Sequence, residues 1–301
     1  MAGEPPPASA GDGATSADGA GSSSAGGRAS NGRKPAGRNL PLAIASGVLL
    51  AGILLGSLAW DPIAVLVLVA AVIVVAMLEL DIAFRSTGVR PATPVAAGAG
   101  LVMLFGAYAG GSAALLLGLI LLVFGAVLWT VLGTRPEQVL ATVGATLLIG
   151  LWVPFLASHL ALLIARDHGE WIVLAVIALT VSNDIGAYGF GWAFGRHKLA
   201  PRISPAKSWE GAAGGLATVL VLAALITAQL PGFDLPTALL LGAAVVPAAI
   251  AGDLAESLVK RDLGVKDLGR ILPGHGGMMD RVDSIVFTLP AAHLLLVALG
   301  V

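Results

Sequence analysis

Long hydrophobic runs separated by short polar or glycine-rich breaks make up most of the chain from Leu40 onward. Runs of about 20 apolar residues can cross the roughly 30 Å hydrocarbon core of a bilayer as helices. The breaks include Trp60-Asp61-Pro62, Gly110-Gly111 and Pro231-Gly232-Phe233-Asp234, which are typical of tight turns between antiparallel spans. We therefore predict about nine membrane-spanning helices, at 40–59, 62–80, 92–109, 111–133, 138–164, 171–190, 211–230, 236–256 and 284–301.

Residues 1–38 have a different pattern, with Gly, Ala, Ser and Pro and scattered charge. This segment lacks both the apolar bulk for a core and the periodicity of a helix or strand, so we predict a disordered tail. No apolar stretch directly follows a short basic start, which argues against a secretory signal peptide. Basic residues stand immediately before the first apolar run and are expected to set its orientation: Arg28, Arg33, Lys34 and Arg38.

Composition agrees with the hydrophobic pattern. Hydrophobic residues make up 57% of the chain and charged residues 12%, and the mean hydropathy is +0.91. In a water-soluble protein roughly a quarter of the residues are charged, so this chain must be solvated by lipid. The net charge of -1, without a long basic block, argues against nucleic-acid binding. The absence of cysteine excludes disulfides and thiolate metal sites.

The distribution of lysine and arginine predicts the topology. With a cytoplasmic N-terminus, all of the 17 lysines and arginines except Arg166 lie on the cytoplasmic side, and Val301 lies outside. We expect an all-α polytopic protein of the cell membrane. Residues 39–170 would form a scaffold of five spans. Residues 171–301 would form a catalytic region of four spans, with cytoplasmic loops at 191–210 and 257–283.

The densest group of charged residues in the apolar part lies between Gly252 and Asp283. Orientation in the membrane explains the cations of this segment, but it does not require carboxylates interleaved with them. Asp280 and Asp283 are three residues apart and would project from one side of a helical turn, a spacing suited to oxygen ligation of Mg²⁺. Asp253, at the cytoplasmic end of the eighth span, is a candidate for a further ligand.

Two earlier segments also carry polar groups. Asp184 lies in the heptapeptide Ser182–Tyr188 near the end of the sixth span, where it either faces a cavity or is a bystander at a wetted helix end. Ser204 and Lys207 lie in the 191–210 segment and could bind phosphate at the start of the next helix. The positive-inside rule explains these basic residues equally well, and Trp209 is equally suited to anchoring at the interface.

Taken together, these segments resemble the phosphatidate cytidylyltransferases, also called CDP-diacylglycerol synthases. The resemblance covers about residues 180–290, and two positions depart mildly from the family pattern, which usually has Lys at Ala206 and Thr at Ser208. The matching motifs are Ser182-Asn183-Asp184 with Ala187-Tyr188, Ser204–Gly211, Ser257–Arg261, Lys266-Asp267, Pro273–Gly277 and Asp280–Asp283.

The resemblance implies that the phosphate of phosphatidate attacks the α-phosphorus of CTP, giving CDP-diacylglycerol and pyrophosphate. It also implies Mg²⁺ as the cofactor, with room for a second cation as in two-metal sites. It also implies a homodimer in the lipid bilayer. By similarity we expect a metal site at Asp253, Asp280 and Asp283. The expected catalytic residues are Asp253, Lys260, Arg261, Lys266, Asp280, Arg281 and Asp283. The expected substrate-binding residues are Asp184, Ser204, Lys207, Lys260, Arg261, Lys266, His275, Gly276, Gly277 and Arg281.

Two alternatives remain open from the sequence. A CTP-dependent kinase of polyprenol or phytol would use a similar nucleotide segment, but it would transfer the γ-phosphoryl group and release CDP. A transporter would have the same hydropathy, but it usually places its polar residues near the membrane midplane in two related halves. In this chain the charge lies at the predicted cytoplasmic ends of the last four spans, and no internal repeat is visible.

Overall fold

The computed structural model describes Gly3 and residues 40–133, 138–227, 234–269 and 276–301. Within these ranges, seven helices are long and apolar enough to cross a membrane. The expected all-α polytopic membrane protein is therefore confirmed at this level. The predicted tail at 1–38, apart from Gly3, lies outside the described residues. The seven helices are Pro62–Ser86, Thr93–Leu132, Val139–Ile164, Gly169–Phe194, Trp209–Thr227, Leu235–Asp262 and Met279–Leu299.

The first two helices form the predicted hairpin. Helix α1 (Leu40–Trp60) is followed by α2 (Pro62–Ser86), with a single residue between them. Asp61 caps α2, because its Oδ1 accepts a hydrogen bond from the Ile63 N–H at 2.7 Å. Pro62 occupies the first turn, where a missing N–H costs nothing.

Helix α3 (Thr93–Leu132) reverses direction at Gly111, where φ is 65° and ψ is -153°. This backbone conformation is open to glycine alone. The two arms pack against each other as an antiparallel pair, since Gly118 contacts Met103 and Gly125 contacts Val95. The turn predicted at Gly110-Gly111 is therefore confirmed.

The next span is interrupted. Helix α4 (Val139–Gly150) continues through a π-helical turn at Leu151–Phe155 and, after a short break, into α5 (His159–Ile164). Pro154 lies inside the π-helical turn and lacks the N–H that a regular helix needs at this position. Its ring packs against Gly100 of α3, where a Cβ would approach the Pro154 Cβ to 2.6 Å.

Two helices and a hairpin form the next unit, namely α6 (Gly169–Phe194), β1 (Lys198–Ala200), β2 (Ser204–Ser208) and α7 (Trp209–Thr227). The two strands are antiparallel, and Lys198 pairs with Ser208. This small sheet was not predicted. Helices α6 and α7 pack closely because glycines of α7 leave room for side chains of α6, as at the contact of Gly214 with Phe190.

The last two helices, α8 (Leu235–Asp262) and α9 (Met279–Leu299), are longer than predicted at their charged ends. Helix α8 continues beyond residue 256, and α9 begins before residue 284. The predicted loop at 257–283 is therefore shorter, and most of its charged residues lie on helical turns. Asp234 caps α8 by accepting a hydrogen bond from the Thr237 N–H at 3.0 Å. The rest of the predicted turn, 231–233, lies outside the described residues.

The core lies between the helices and consists of aliphatic side chains such as Leu80, Leu104, Leu179 and Leu241, all fully buried. Large apolar side chains on the outer faces are exposed, for example Phe124 at 72%. An apolar outer surface is what a lipid-solvated protein requires. The polar groups described next are concentrated at one end of this bundle, where α6 to α9 meet.

Candidate active site

A group of three carboxylates lies where α8 and α9 meet. Oxygens of Asp253, Glu256 and Asp283 all lie within 4.8 Å of one another. Asp253 and Glu256 are three residues apart on α8 and so share one face of that helix. Gly252 brings α9 to this face, because a Cβ at residue 252 would collide with the Asp283 carbonyl oxygen. A glycine beside Asp253 thus explains why carboxylates from two helices meet.

Two lysines contact this carboxylate group from different directions. Lys207, at the end of the β1–β2 hairpin, forms an ion pair with Asp253. Lys260, one helical turn after Glu256, lies 3.0 Å from the Glu256 Oε2 and also pairs with Asp280. Each ammonium group is mostly shielded, with side-chain exposures of 22% for Lys207 and 18% for Lys260. Charges shielded in this way interact more strongly than exposed ones.

The first turn of α9 is fixed by its own carboxylate. The Asp280 Oδ2 accepts a hydrogen bond from the Gly277 N–H at 2.8 Å, and Gly276 has a φ of +81°. A positive φ favours glycine at this position. The sequence predicted Asp253, Asp280 and Asp283 as metal ligands. The structure brings Asp253 and Asp283 together with Glu256, and Asp280, which is not in this group of three, pairs with Lys260.

Asp184 of α6 faces the same group. It interacts electrostatically with Asp253 and Asp283, and it accepts a hydrogen bond from Asn183 at 3.3 Å. Its side chain is exposed, whereas Asn183 is buried. Asp184 is therefore a neighbour of the carboxylate group.

The remaining predicted residues surround this centre. Ser204 begins β2 and pairs with Ala200. Arg261 and Lys266 are exposed, Arg281 is partly exposed and Gly277 is buried. His275 lies outside the described residues, as do the neighbouring positions 270–274. The structure thus brings Lys207, Lys260 and the α9 turn to the carboxylates, and it leaves Arg261 and Lys266 at the surface.

Comparison with known proteins identifies the family. The cytidylyltransferase family profile matches residues 42–299. A phosphatidate cytidylyltransferase from Mycobacterium leprae is 38% identical over 280 residues, covering 85% of this chain and 86% of the relative. The chain belongs to the cytidylyltransferase family. Another relative of the same name, from Mycobacterium bovis, is 34% identical over 88% of this chain and 90% of the relative. One from Pseudomonas aeruginosa is 47% identical over 43% of this chain and 48% of the relative.

The match to the cytidylyltransferase family extends well beyond the motif region. The sequence resemblance covered about residues 180–290, whereas the family match includes the first spans as well. The resemblance to phosphatidate cytidylyltransferases is therefore confirmed, and the N-terminal helices belong to the family fold.

The carboxylate group of this cytidylyltransferase-family chain fits a hard divalent cation. Its donors are all carboxylate oxygens, which Mg²⁺ prefers. The Glu256 Oε1 is buried and has no hydrogen-bond donor among the described residues. A buried carboxylate oxygen without a donor is costly unless a cation satisfies it. The residues present could therefore hold a metal ion.

Two carboxylates near this site were not assigned by sequence reasoning. The sequence contains a pattern that could have identified Glu256, because this residue follows Asp253 by three positions on a predicted helix. No such pattern marks Glu79 of α2. Its Oε2 accepts a hydrogen bond from the Met279 N–H at 2.9 Å, across 200 residues of sequence, and a contact over this separation leaves no local pattern.

Proposed function

We propose that this chain transfers the cytidylyl group of CTP to phosphatidate, giving CDP-diacylglycerol and pyrophosphate in phospholipid biosynthesis. The observation that carries the proposal is the carboxylate group of Asp253, Glu256 and Asp283 flanked by Lys207 and Lys260. It lies in a member of a family whose relatives named above are phosphatidate cytidylyltransferases. Acidic oxygens beside cations suit a reaction between two phosphates and a metal ion.

In this reaction a phosphate oxygen of phosphatidate forms a bond with the α-phosphorus of CTP. The bond between that phosphorus and the oxygen bridging to the β-phosphorus breaks, and its electron pair leaves with pyrophosphate. The nucleophile is already anionic, so no serine, cysteine or general base has to activate it. The main barriers are the repulsion between phosphates and the charge that develops on the leaving group.

The lysines and arginines of the site meet these barriers. Lys207 and Lys260 reach the site from the hairpin and from α8, and they can orient phosphate oxygens on two sides. Arg281, on the first turn of α9, can support them. Arg261 and Lys266, at the exposed rim, would attract CTP or the lipid headgroup. We propose the same binding role for Asp184, Ser204, His275, Gly276 and Gly277.

The metal of this site would be Mg²⁺, held by Asp253, Glu256 and Asp283. When bound, Mg²⁺ neutralises phosphate charge and stabilises the leaving pyrophosphate. Asp280 remains a proposed ligand from the sequence. It also pairs with Lys260 and accepts the Gly277 N–H.

We further propose nine membrane spans, with the N-terminus and the site in the cytoplasm and Val301 outside, in the plasma membrane. The 21-residue α1 and the two antiparallel arms of α3 support this number. Residues 39–170 would be the scaffold and residues 171–301 the catalytic region of a homodimer. A site at a membrane face allows the acyl chains to stay in lipid while the headgroup reaches the carboxylates.

The test is an assay of the detergent-purified protein with α-labelled CTP and either phosphatidate or a polyprenol, with Mg²⁺ or with EDTA. Labelled CDP-diacylglycerol that appears only with phosphatidate and Mg²⁺ is the expected result. Labelled CDP with phosphorylated polyprenol would instead identify a lipid kinase. Turnover of neither lipid would overturn the proposal and return attention to transport.

A further inference from the structure

Glu79 is a buried acid on a helix that the sequence assigned to the scaffold. It lies on α2 and is 1% exposed. Its Oε2 accepts a hydrogen bond from the Met279 N–H at the start of α9. Met278 is the N-cap residue of α9, and its side chain makes no hydrogen bond to the N-terminus of the helix. Glu79 thus supplies from another helix the acceptor that a capping side chain normally provides.

Two glycines lie close to the same carboxylate. A Cβ at Gly277 would lie 2.7 Å from the Glu79 Oε2, and a Cβ at Gly269 would collide with the carboxylate. Gly277 also donates its N–H to Asp280, which pairs with Lys260. A continuous set of contacts therefore leads from Glu79 through the first turn of α9 to the carboxylate group.

A carboxylate group suits this position. A negative group at the N-terminus of a helix is stabilised by the helix dipole, and a hydrogen bond to a charged acceptor is about twice as strong as a neutral one. The Glu79 Oε1 has no hydrogen-bond partner among the described residues. Burying an acid in this way costs free energy, so a compensating contact is needed, and the described contacts are those to α9 and the two glycines.

We propose that Glu79 is a positioning residue that fixes the first turn of α9, and with it Asp280 and Asp283, in the geometry needed for cytidylyl transfer. Its effect on turnover rests on the proposed function, but its effect on the backbone does not. Helix α2 is then part of the active centre and not only of the scaffold. In this role Glu79 acts through the backbone of α9 and not on the reacting atoms.

The experiment compares Glu79→Ala and Glu79→Gln with Asp81→Asn. Asp81 is a matched control, because it is also a buried acid of α2, yet it binds Arg85 and Thr93 and not the site. The measurements are kcat, KM for CTP, the Mg²⁺ concentration for half-maximal activity, and hydrogen exchange of the peptide containing the Met279 amide. Exchange is measured on purified protein without substrate.

Glu79→Ala is expected to lower kcat by about tenfold or more, because a charge-assisted hydrogen bond is lost, and to speed exchange at Met279 by a similar factor. Glu79→Gln keeps a hydrogen-bond acceptor on a side chain of the same length. Its kcat and its exchange rate at Met279 should therefore lie between those of Glu79→Ala and the wild type. Asp81→Asn should leave exchange at Met279 as in the wild type. If Glu79→Ala does not fold, Glu79→Gln replaces it, with smaller changes of the same sign expected in both measurements.

Glu79 variants that match Asp81→Asn in both kcat and exchange would overturn the proposal. A loss of kcat with unchanged Met279 exchange would also overturn it, since Glu79 would then act on the chemistry directly. A wild type without cytidylyltransferase activity would defeat the proposed function alone. In that case faster exchange at Met279 in Glu79→Ala would still support the positioning role, and unchanged exchange would still defeat it.

Discussion

At the scale of single residues, Glu256 and Asp280 both contact Lys260 but differ in their other contacts. The Lys260 ammonium pairs with each of them. Glu256 belongs to the group with Asp253 and Asp283, whereas Asp280 accepts the Gly277 N–H. A carboxylate engaged by a lysine and a backbone amide has fewer lone pairs left for a metal than one whose second oxygen is unengaged.

Asp283→Asn is expected to reduce Mg²⁺-dependent activity by at least about a hundredfold, because it removes a charged oxygen from the group of three. The protein should stay folded and membrane-inserted. Mg²⁺ binding by titration calorimetry checks the cause, with Asp167→Asn as the control at an exposed position. Unchanged Mg²⁺ affinity in Asp283→Asn would contradict the ligand assignment.

Glu256→Gln and Asp280→Asn distinguish between two sets of metal ligands. The sequence predicted Asp280 as a ligand, whereas the structure groups Glu256 with Asp253 and Asp283. If Glu256 is the ligand, Glu256→Gln weakens Mg²⁺ binding by about tenfold or more, and Asp280→Asn weakens it less. Asp280→Asn should still lower kcat, since Lys260 loses a partner. The reverse order of Mg²⁺ affinities would restore Asp280 to the metal site.

At the scale of helices and strands, the hydrophobic pattern was sufficient for the long spans and insufficient at their ends. Asp61 and Pro62 marked the start of α2, and Gly111 marked the reversal of α3. The hairpin at 198–208 was not predicted, because the prolines at 201 and 205 and its short length are typical of a loop. The charged ends of α8 and α9 were assigned to a loop because hydropathy falls there while helical hydrogen bonding continues.

Gly252→Val tests the contact of α8 with α9. A side chain at residue 252 would press on the Asp283 carbonyl oxygen and on Phe287, so we expect a destabilisation of about 1–3 kcal/mol and a loss of activity. Thermal unfolding in detergent and the cytidylyltransferase assay measure the two effects. Ala251→Val, on the exposed side of the same turn, is the control. Equal behaviour of the two variants would show that the close approach is not needed.

At the scale of the whole molecule, orientation can be tested directly, since the chain has no cysteine. Asp167 and Arg202 are both exposed, and α6 lies between them in sequence. We expect a membrane-impermeant maleimide added outside intact cells to label Asp167→Cys and not Arg202→Cys. Permeabilised cells, in which both should react, serve as the control. Labelling of Arg202→Cys from outside would contradict a cytoplasmic site.

Contacts between distant parts of the chain limited what the sequence could predict about the site. Lys207 and Asp253 were predicted separately, as a substrate-binding residue and a metal ligand, and they form an ion pair. Glu79 belongs to no such motif, and its partner Met279 contributes only a backbone N–H, which any residue there would provide. A sequence pattern cannot identify a partner whose side chain does not take part.

The same hydrogen bond has a consequence for the order in which the protein is made. The ribosome releases α2 some 200 residues before Met279, so Glu79 enters the bilayer without its partner. An acid in an apolar surrounding is costly until a partner is present, so the environment of Glu79 is complete only after α9 has been made. Synthesis of the last helix then completes the early part of the bundle and the active centre in one step.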